Sequence, residues 1–269
     1  MARLLVTNDD GVTSPGIIAL ADALRALGEV FVVAPESDRS GASHAISVHD
    51  AISVVEVSGR SVPTYACSGT PADCVILGLH QIAGGPVDFV VSGINRGANV
   101  ADDINYSGTV AAAVEALLAG VPALAVSLAA SWPEPDPEHH WDVAADLARD
   151  LVARTLAAPL PALTFWNMNV PNLAQPLGLR VTRQGRKRYG DRLNAEAGAA
   201  GGRRIYRIWG RDIRRSGEDT DDAAVHAGYE HHPAAGRPHR RGPLPGLRLG
   251  ADPHDGVVRA ELWYTGVLP

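Results

Sequence analysis

A short apolar run, Arg3 to Thr7, stops abruptly at Asn8-Asp9-Asp10-Gly11, and helical spacing follows. The run is bounded and β-compatible, so it reads as a buried strand. Gly11 reaches backbone angles closed to other residues, which lets the chain turn sharply after the acids. Ser14-Pro15 then supplies an N-cap and a first-turn proline. Ile17, Ile18, Leu20, Ala21, Leu24 and Leu27 mark one helix face, and Gly28 is expected as the C-cap glycine. Asp9 and Asp10 are thereby placed at the carboxyl end of a strand, on the loop before a helix. Open α/β sheets hold their ligands there.

The same unit recurs down the chain. Glu29 to Ala34 reads as a strand ending at Pro35, followed by the polar loop Glu36 to His44. Ala51 to Val57 is strand-like. Thr70-Pro71-Ala72-Asp73 starts a helix with cap, proline and acid, and Gly84-Gly85 stops it after about Ile82. Val87 to Val91 is a further strand, opening into a loop from Ser92 to Asn99. Ser107-Gly108-Thr109 begins an alanine-rich helix that ends at Gly120, and Val121 to Leu128 is the next strand. Trp141 to Ala157 reads as a helix and Ala162 to Asn169 as a strand. This alternation predicts an α/β fold, a mostly parallel sheet with helices on both faces and a smaller C-terminal extension.

Composition removes several function classes. A net charge of −6 gives no general polyanion-binding signal, so no stable nucleic-acid complex is expected. Half of the 24 basic residues fall between Arg180 and Arg215, a cluster that reads as a solvated face or partner contact. Cys67 and Cys74 make neither a disulfide framework nor a zinc signature. No stretch approaches the ~18 apolar residues of a membrane span, and the opening run is too short for a signal peptide. The expectation is a cytoplasmic protein without membrane contact.

Three loops that follow buried strands carry oxygen donors: Asn8-Asp9-Asp10, Ser37 to Ser43, and Gly93-Ile94-Asn95. Parallel neighbouring strands would bring them to one sheet edge. Two carboxylates, a hydroxyl and an amide oxygen suit Mg²⁺ or Mn²⁺ rather than zinc. An Asp-Asp pair is by itself a common loop feature; its position at the first strand end gives it meaning. A divalent ion also removes the conflict between adjacent charges. Ser107-Gly108-Thr109 offers free backbone N–H groups and hydroxyls at a helix start, which suits a phosphate as well as ordinary capping. Cation plus phosphate cradle points to phosphoester hydrolysis. His44 lies in the second loop, within reach of a substrate. His139-His140, His231-His232 and His239 lack a third ligand at sensible spacing and read as surface residues.

These residues carry a resemblance. Leu5 to Gly11, Val32 to Pro35 with Arg39-Ser40-Gly41, Gly69 to Val75, Val91 to Asn99 and Tyr106 to Ala113 resemble the motifs of the survival-protein SurE family. Asn167 to Pro171 and Gly228-Tyr229 fit as well, so the likeness runs in order over residues 3 to 229. Members of that family are metal-dependent nucleotidases acting on nucleoside monophosphates. By position, the resemblance implies metal ligands Asp9, Asp10, Ser40 and Asn95, with the two acids catalytic. It places Asn99 and the Ser107-Gly108-Thr109 turn beside the phosphate. It further implies a Rossmann-like catalytic core over residues 1–130 and the remainder of the core, with C-terminal strands and the basic segment, over 131–229. A homodimer or homotetramer is implied, with one divalent metal ion (Mg²⁺ or Mn²⁺) and hydrolysis of nucleoside 5′- and 3′-monophosphates. After Tyr229 the chain departs from the family pattern into a Pro/Gly-rich tail, 230–269, expected to be irregular until Val257. The departure bears on oligomer contacts, not on the metal site.

Two other functions compete. An aspartyl-phosphate phosphatase also starts from acids at a first strand end, but needs them separated by one residue, and here they are adjacent. A non-catalytic nucleotide sensor is compatible with the same fold. A full set of ligand residues argues against it.

Overall fold

Alternating side chains in the first strand seed two separate cores. In the computed structural model, β1 (Ala2–Thr7) turns Leu4 and Val6 into one hydrophobic cluster and Leu5 into another. This follows from the two-residue period of a strand whose faces are both covered. The structure describes residues 1–130, 138–176, 179–182, 184–189, 193–196, 205–208, 213–216 and 258–264.

From β1 the chain runs through α1 (Pro15–Leu24), β2 (Gly28–Pro35), β3 (Val54–Glu56), β4 (Thr64–Cys67) and α2 (Pro71–Leu77). It continues with β5 (Phe89–Arg96), α3 (Gly108–Leu118), β6 (Ala123–Ala129), α4 (Trp141–Ala157) and β7 (Thr164–Pro171). Short strands β8 (Leu179–Val181), β9 (Arg186–Tyr189), β10 (Leu193–Glu196), β11 (Ile205–Ile208) and β12 (Ile213–Ser216) precede β13 (Val258–Tyr264). Nine strands form one sheet in the order β3-β4-β2-β1-β5-β6-β7-β13-β8. Every pairing from β4 to β7 is parallel; β3 and β13 join their neighbours β4 and β7 antiparallel. Pairs β10–β11 and β9–β12 stand apart as two-stranded sheets. The mixed, mostly parallel α/β architecture is the one expected.

Helices α1 and α4 contribute Ile17, Leu20, Leu24, Ala148 and Leu151 to the cluster that holds Leu4, Val6, Leu124 and Trp166. Helices α2 and α3 contribute Val75, Ala112 and Ala116 to the cluster that holds Leu5, Phe31, Val90 and Phe165. Each large aliphatic buried this way is worth about 1.5–3 kcal/mol. The alanines of α3 let that helix lie close on the strands.

Several boundaries differ from the sequence reading. Helix α2 ends at Leu77, and a π-helical turn, Gly78–Ile82, completes the expected span. The third strand shrinks to Val54–Glu56, all three residues exposed at the sheet edge. Gly28 is not the C-cap of α1. That cap falls on Arg25, and Gly28 opens β2 opposite Ala2. A Cβ at Gly28 would stand 1.9 Å from the Ala2 carbonyl oxygen, so close strand approach explains the glycine. The strand expected at Val87–Val91 runs on to Arg96, with a register shift between Ser92 and Asn95 where Gly93 takes φ +142°. Asn95 therefore sits on a bulged strand end rather than a loop. The proline-rich stretch 131–137 and the tail 230–257 lie outside the described residues.

Because Gly28 is a contact residue, Gly28→Ala should cost about 1–3 kcal/mol through overpacking. Urea unfolding of the metal-free protein measures it. A C-cap role would instead make Gly28→Asn nearly neutral, and that substitution is expected to destabilise as well.

Candidate active site

The carboxyl ends of β1, β2 and β5 meet because the three strands are parallel neighbours. The turn after β1 is fixed by Asn8, whose amide nitrogen donates to the Gly11 carbonyl (2.9 Å) and to Ser14 Oγ (2.8 Å). Ser14 also caps α1, as its position predicted. Two of the bonds from this turn to its neighbours end on the acids themselves. The Arg39 N–H, just before Ser40, donates to the Asp9 carbonyl at 2.8 Å. The Arg96 N–H, just after Asn95, donates to Asp10 Oδ2 at 3.0 Å. The stretches bearing Ser40 and Asn95 are thus each tied to one of the paired acids.

The α3 terminus closes the group from a fourth side. Ser107 is its N-cap, accepting from the Val110 N–H at 3.1 Å. The Thr109 hydroxyl donates to Asp9 Oδ1. Gly108 permits this approach, since a Cβ there would lie 2.9 Å from the Asp9 Cβ and 3.0 Å from its Oδ2. The helix start read as a phosphate cradle therefore first serves a protein carboxylate. Asn99 is held by a buried amide network: its N–H donates to Asn169 Oδ1 and its Nδ2 to Ser127 Oγ, both at 2.8 Å. Its carbonyl accepts from Asn167 and Asn169, both at 3.0 Å. His44 bonds Glu115 on α3 at 2.8 Å, which spends one ring nitrogen on fixing its loop.

Electrostatically the acids are under stress. Asp9 is 3% exposed, and burial raises its carboxyl above the usual range against the opposing bonds from Thr109. Asp10 is pushed up to about 7, first by burial and then by the charge of Asp9. Asp38 on the second loop adds negative field at both. A site that raises carboxylate pKa values this way favours a cation.

The donor chemistry fits a hard divalent ion. Among the described residues no three His, Cys, Asp or Glu side chains gather as a metal site. Neutral oxygens must therefore complete any shell around the two acids. Asn95 gives its Nδ2 to the Gly97 carbonyl at 2.8 Å, which leaves Oδ1 as its ligand atom. Ser40 gives its hydroxyl hydrogen to Asp38 at 2.6 Å and keeps oxygen lone pairs. The sequence reading gives Asp38 no role, and it notes Asn167 and Asn169 only as part of a matching stretch. The Asp-x-Ser spacing of a local side-chain turn could have pointed to the first, and no local pattern assigns a role to the two amides.

Fold and site together define a class: parallel α/β proteins with a paired-carboxylate site at the carboxyl edge of the sheet. The model of the family "Survival protein SurE" matches residues 4–191. The chain is 47% identical over 227 residues to the 5′-nucleotidase SurE of Syntrophotalea carbinolica, covering 84% of this chain and 88% of that protein. It is 47% identical over 215 residues to the 5′-nucleotidase SurE of Myxococcus xanthus, covering 79% and 78%. The crystal structure of the SurE protein from Aquifex aeolicus superposes with a TM-score of 0.73 at 31% identity, covering 99% of this chain and 94% of that one. The chain belongs to the SurE family. Among the described residues no helix is long and apolar enough to cross a membrane.

A pH signature follows from the raised carboxyls. In the metal-free protein, unfolded Asp10 ionises from about 3.8 and folded Asp10 only near 7. The folded state then binds more protons across that window, so stability falls as pH rises through it and levels off above. Asp10→Asn should therefore stabilise the metal-free protein by about 1–3 kcal/mol at pH 8 and by nothing at pH 3. Thermal melts in chelator at the two pH values measure this, at about 2–4 °C per kcal/mol for a chain near this size.

Proposed function

We propose that this chain is a 5′-nucleotidase: a divalent-metal-dependent phosphomonoesterase that hydrolyses nucleoside monophosphates to nucleoside and phosphate. Its membership of a family whose relatives bear the name 5′-nucleotidase SurE supports the activity. The observation that carries the site assignment is the pair of ties from the Ser40 and Asn95 segments to the two acids.

In this reading Asp9, Asp10, Ser40 and Asn95 would hold one ion, Mg²⁺ or Mn²⁺. Such an ion supplies Lewis-acid polarisation of phosphoryl oxygens and a lowered water pKa. Asp10, kept partly protonated near neutrality by burial, would have to be ionised to serve as a ligand, so cation binding would be coupled to proton release. Asp9 is aimed by Thr109, so its carboxylate is fixed rather than mobile and can orient or accept the proton of an attacking water. The Ser107-Gly108-Thr109 turn forms the positive end of α3, where a phosphate dianion gains from the helix dipole, and Asn99 is the further residue assigned to the phosphate in this reading. The amide network around Asn99 keeps that residue in place without cost at the moment of reaction. Cleavage of 3′-monophosphates, a cytoplasmic setting and assembly as a dimer or tetramer complete the proposal.

Phosphate release from a panel of nucleoside monophosphates tests it. Chelator should abolish turnover, and added Mg²⁺ or Mn²⁺ should restore it. Asp10→Asn should lower kcat at least ~100-fold, the scale of losing one preorganised electrostatic partner, with the fold intact. Tight, metal-dependent nucleotide binding without any phosphate release would instead favour the sensor.

A further inference from the structure

Ser40 is an unpromising cation ligand by itself. It lies on an exposed loop, and a free hydroxyl rotor costs entropy to fix and can point its hydrogen at the ion as readily as its lone pairs. The structure supplies a remedy two residues upstream. Asp38 Oδ1 accepts both the Ser40 backbone N–H at 2.7 Å and the Ser40 hydroxyl at 2.6 Å. One carboxylate oxygen therefore fixes the backbone of the loop and takes the one hydrogen the hydroxyl can donate. The same stretch is seated on the turn that holds the acids: a Cβ at Gly11 would stand 3.2 Å from the Ser37 carbonyl carbon and 3.5 Å from the Asp38 nitrogen. The Arg39 N–H between the two residues is the one bonded to the Asp9 carbonyl.

We infer that Asp38 is a positioning residue for the cation, which orients Ser40 by taking its hydroxyl hydrogen and leaves the Ser40 lone pairs for the ion. The inference rests on the metal reading above and extends it to a residue outside the four ligands. Partners that orient ligands in this way typically change metal affinity by about 10–100-fold. The direct hydrogen bonds to Ser40, not the weaker negative field that Asp38 adds at the two acids, are the operative property, so the neutral isostere keeps the function: the Asn oxygen of Asp38→Asn still accepts, whereas Asp38→Ala removes the acceptor.

Titration of the purified full chain with Mn²⁺, followed by the EPR signal of free Mn²⁺ and by calorimetry, is the test. Asp38→Ala should weaken Mn²⁺ binding about 10-fold or more with the fold in chelator intact by circular dichroism, and Asp38→Asn should stay within about 3-fold of wild type. In a Ser40→Ala background, Asp38→Ala should add less than about 2-fold, because the hydroxyl it orients is gone and only the backbone N–H bond remains. Wild-type affinity in Asp38→Ala would overturn the inference while leaving the metal reading in place. So would an equal loss in Asp38→Asn, or a full extra loss in the Ser40→Ala background. A wild-type chain that binds no Mn²⁺ would overturn the metal reading and this inference together.

Discussion

Two adjacent carboxylates carried out of bulk water onto the edge of a sheet are the constraint to which the rest of the site answers. Burial and mutual repulsion oppose ionisation of Asp9 and Asp10, and a fold gains nothing in stability from such a pair. What surrounds them lowers the penalty in part. Thr109 and the Arg96 N–H each donate to one acid. These donors are too few to neutralise the pair, and the remaining deficit is what a cation would satisfy. The local loss of stability is of the kind that proteins retain at functional sites.

The sheet makes this arrangement possible without strain spread through the chain. Parallel neighbours β2, β1 and β5 deliver three loops to the same edge in fixed register. The alanine face of α3 brings its terminus down onto Asp9, and Gly108 opens the last few ångströms. Farther along, β6 and β7 present Ser127, Asn167 and Asn169 inward at their own carboxyl ends, and these anchor Asn99. Asp9, Asp10, Asn95 and Thr109 are thus held on or beside elements whose own positions are set by apolar packing. Asp38 shows how the start of the loop after β2 is held by local hydrogen bonds rather than by burial.

Periodicity and cap chemistry made the strands and helices legible in the sequence, because both are local. Ser14, Thr70 and Ser107 all cap the helices their positions announced. The errors fell where a distant backbone intervened. Gly28 has the look of a helix terminator, yet it is small because Ala2 lies against it. The extension of β5 through Asn95 depends on pairing with β6, which no window around Gly93 contains. The tail is expected to be irregular until Val257, and the insertion of Val258–Tyr264 between β7 and β8 is likewise a matter of pairing partners.

Sequence by itself determined the alternation of elements, the placement of Asp9 and Asp10 at a strand end, and the donor types available there. Those follow from spacing and residue chemistry, which act over a few positions. Tertiary structure alone decided which loops touch, that the α3 terminus serves Asp9, and that the Asp9 and Asp10 carboxyls stand above their usual range. Each of these depends on groups up to a hundred residues apart being packed together and shielded from water, and that energy does not exist until the sheet has closed around them.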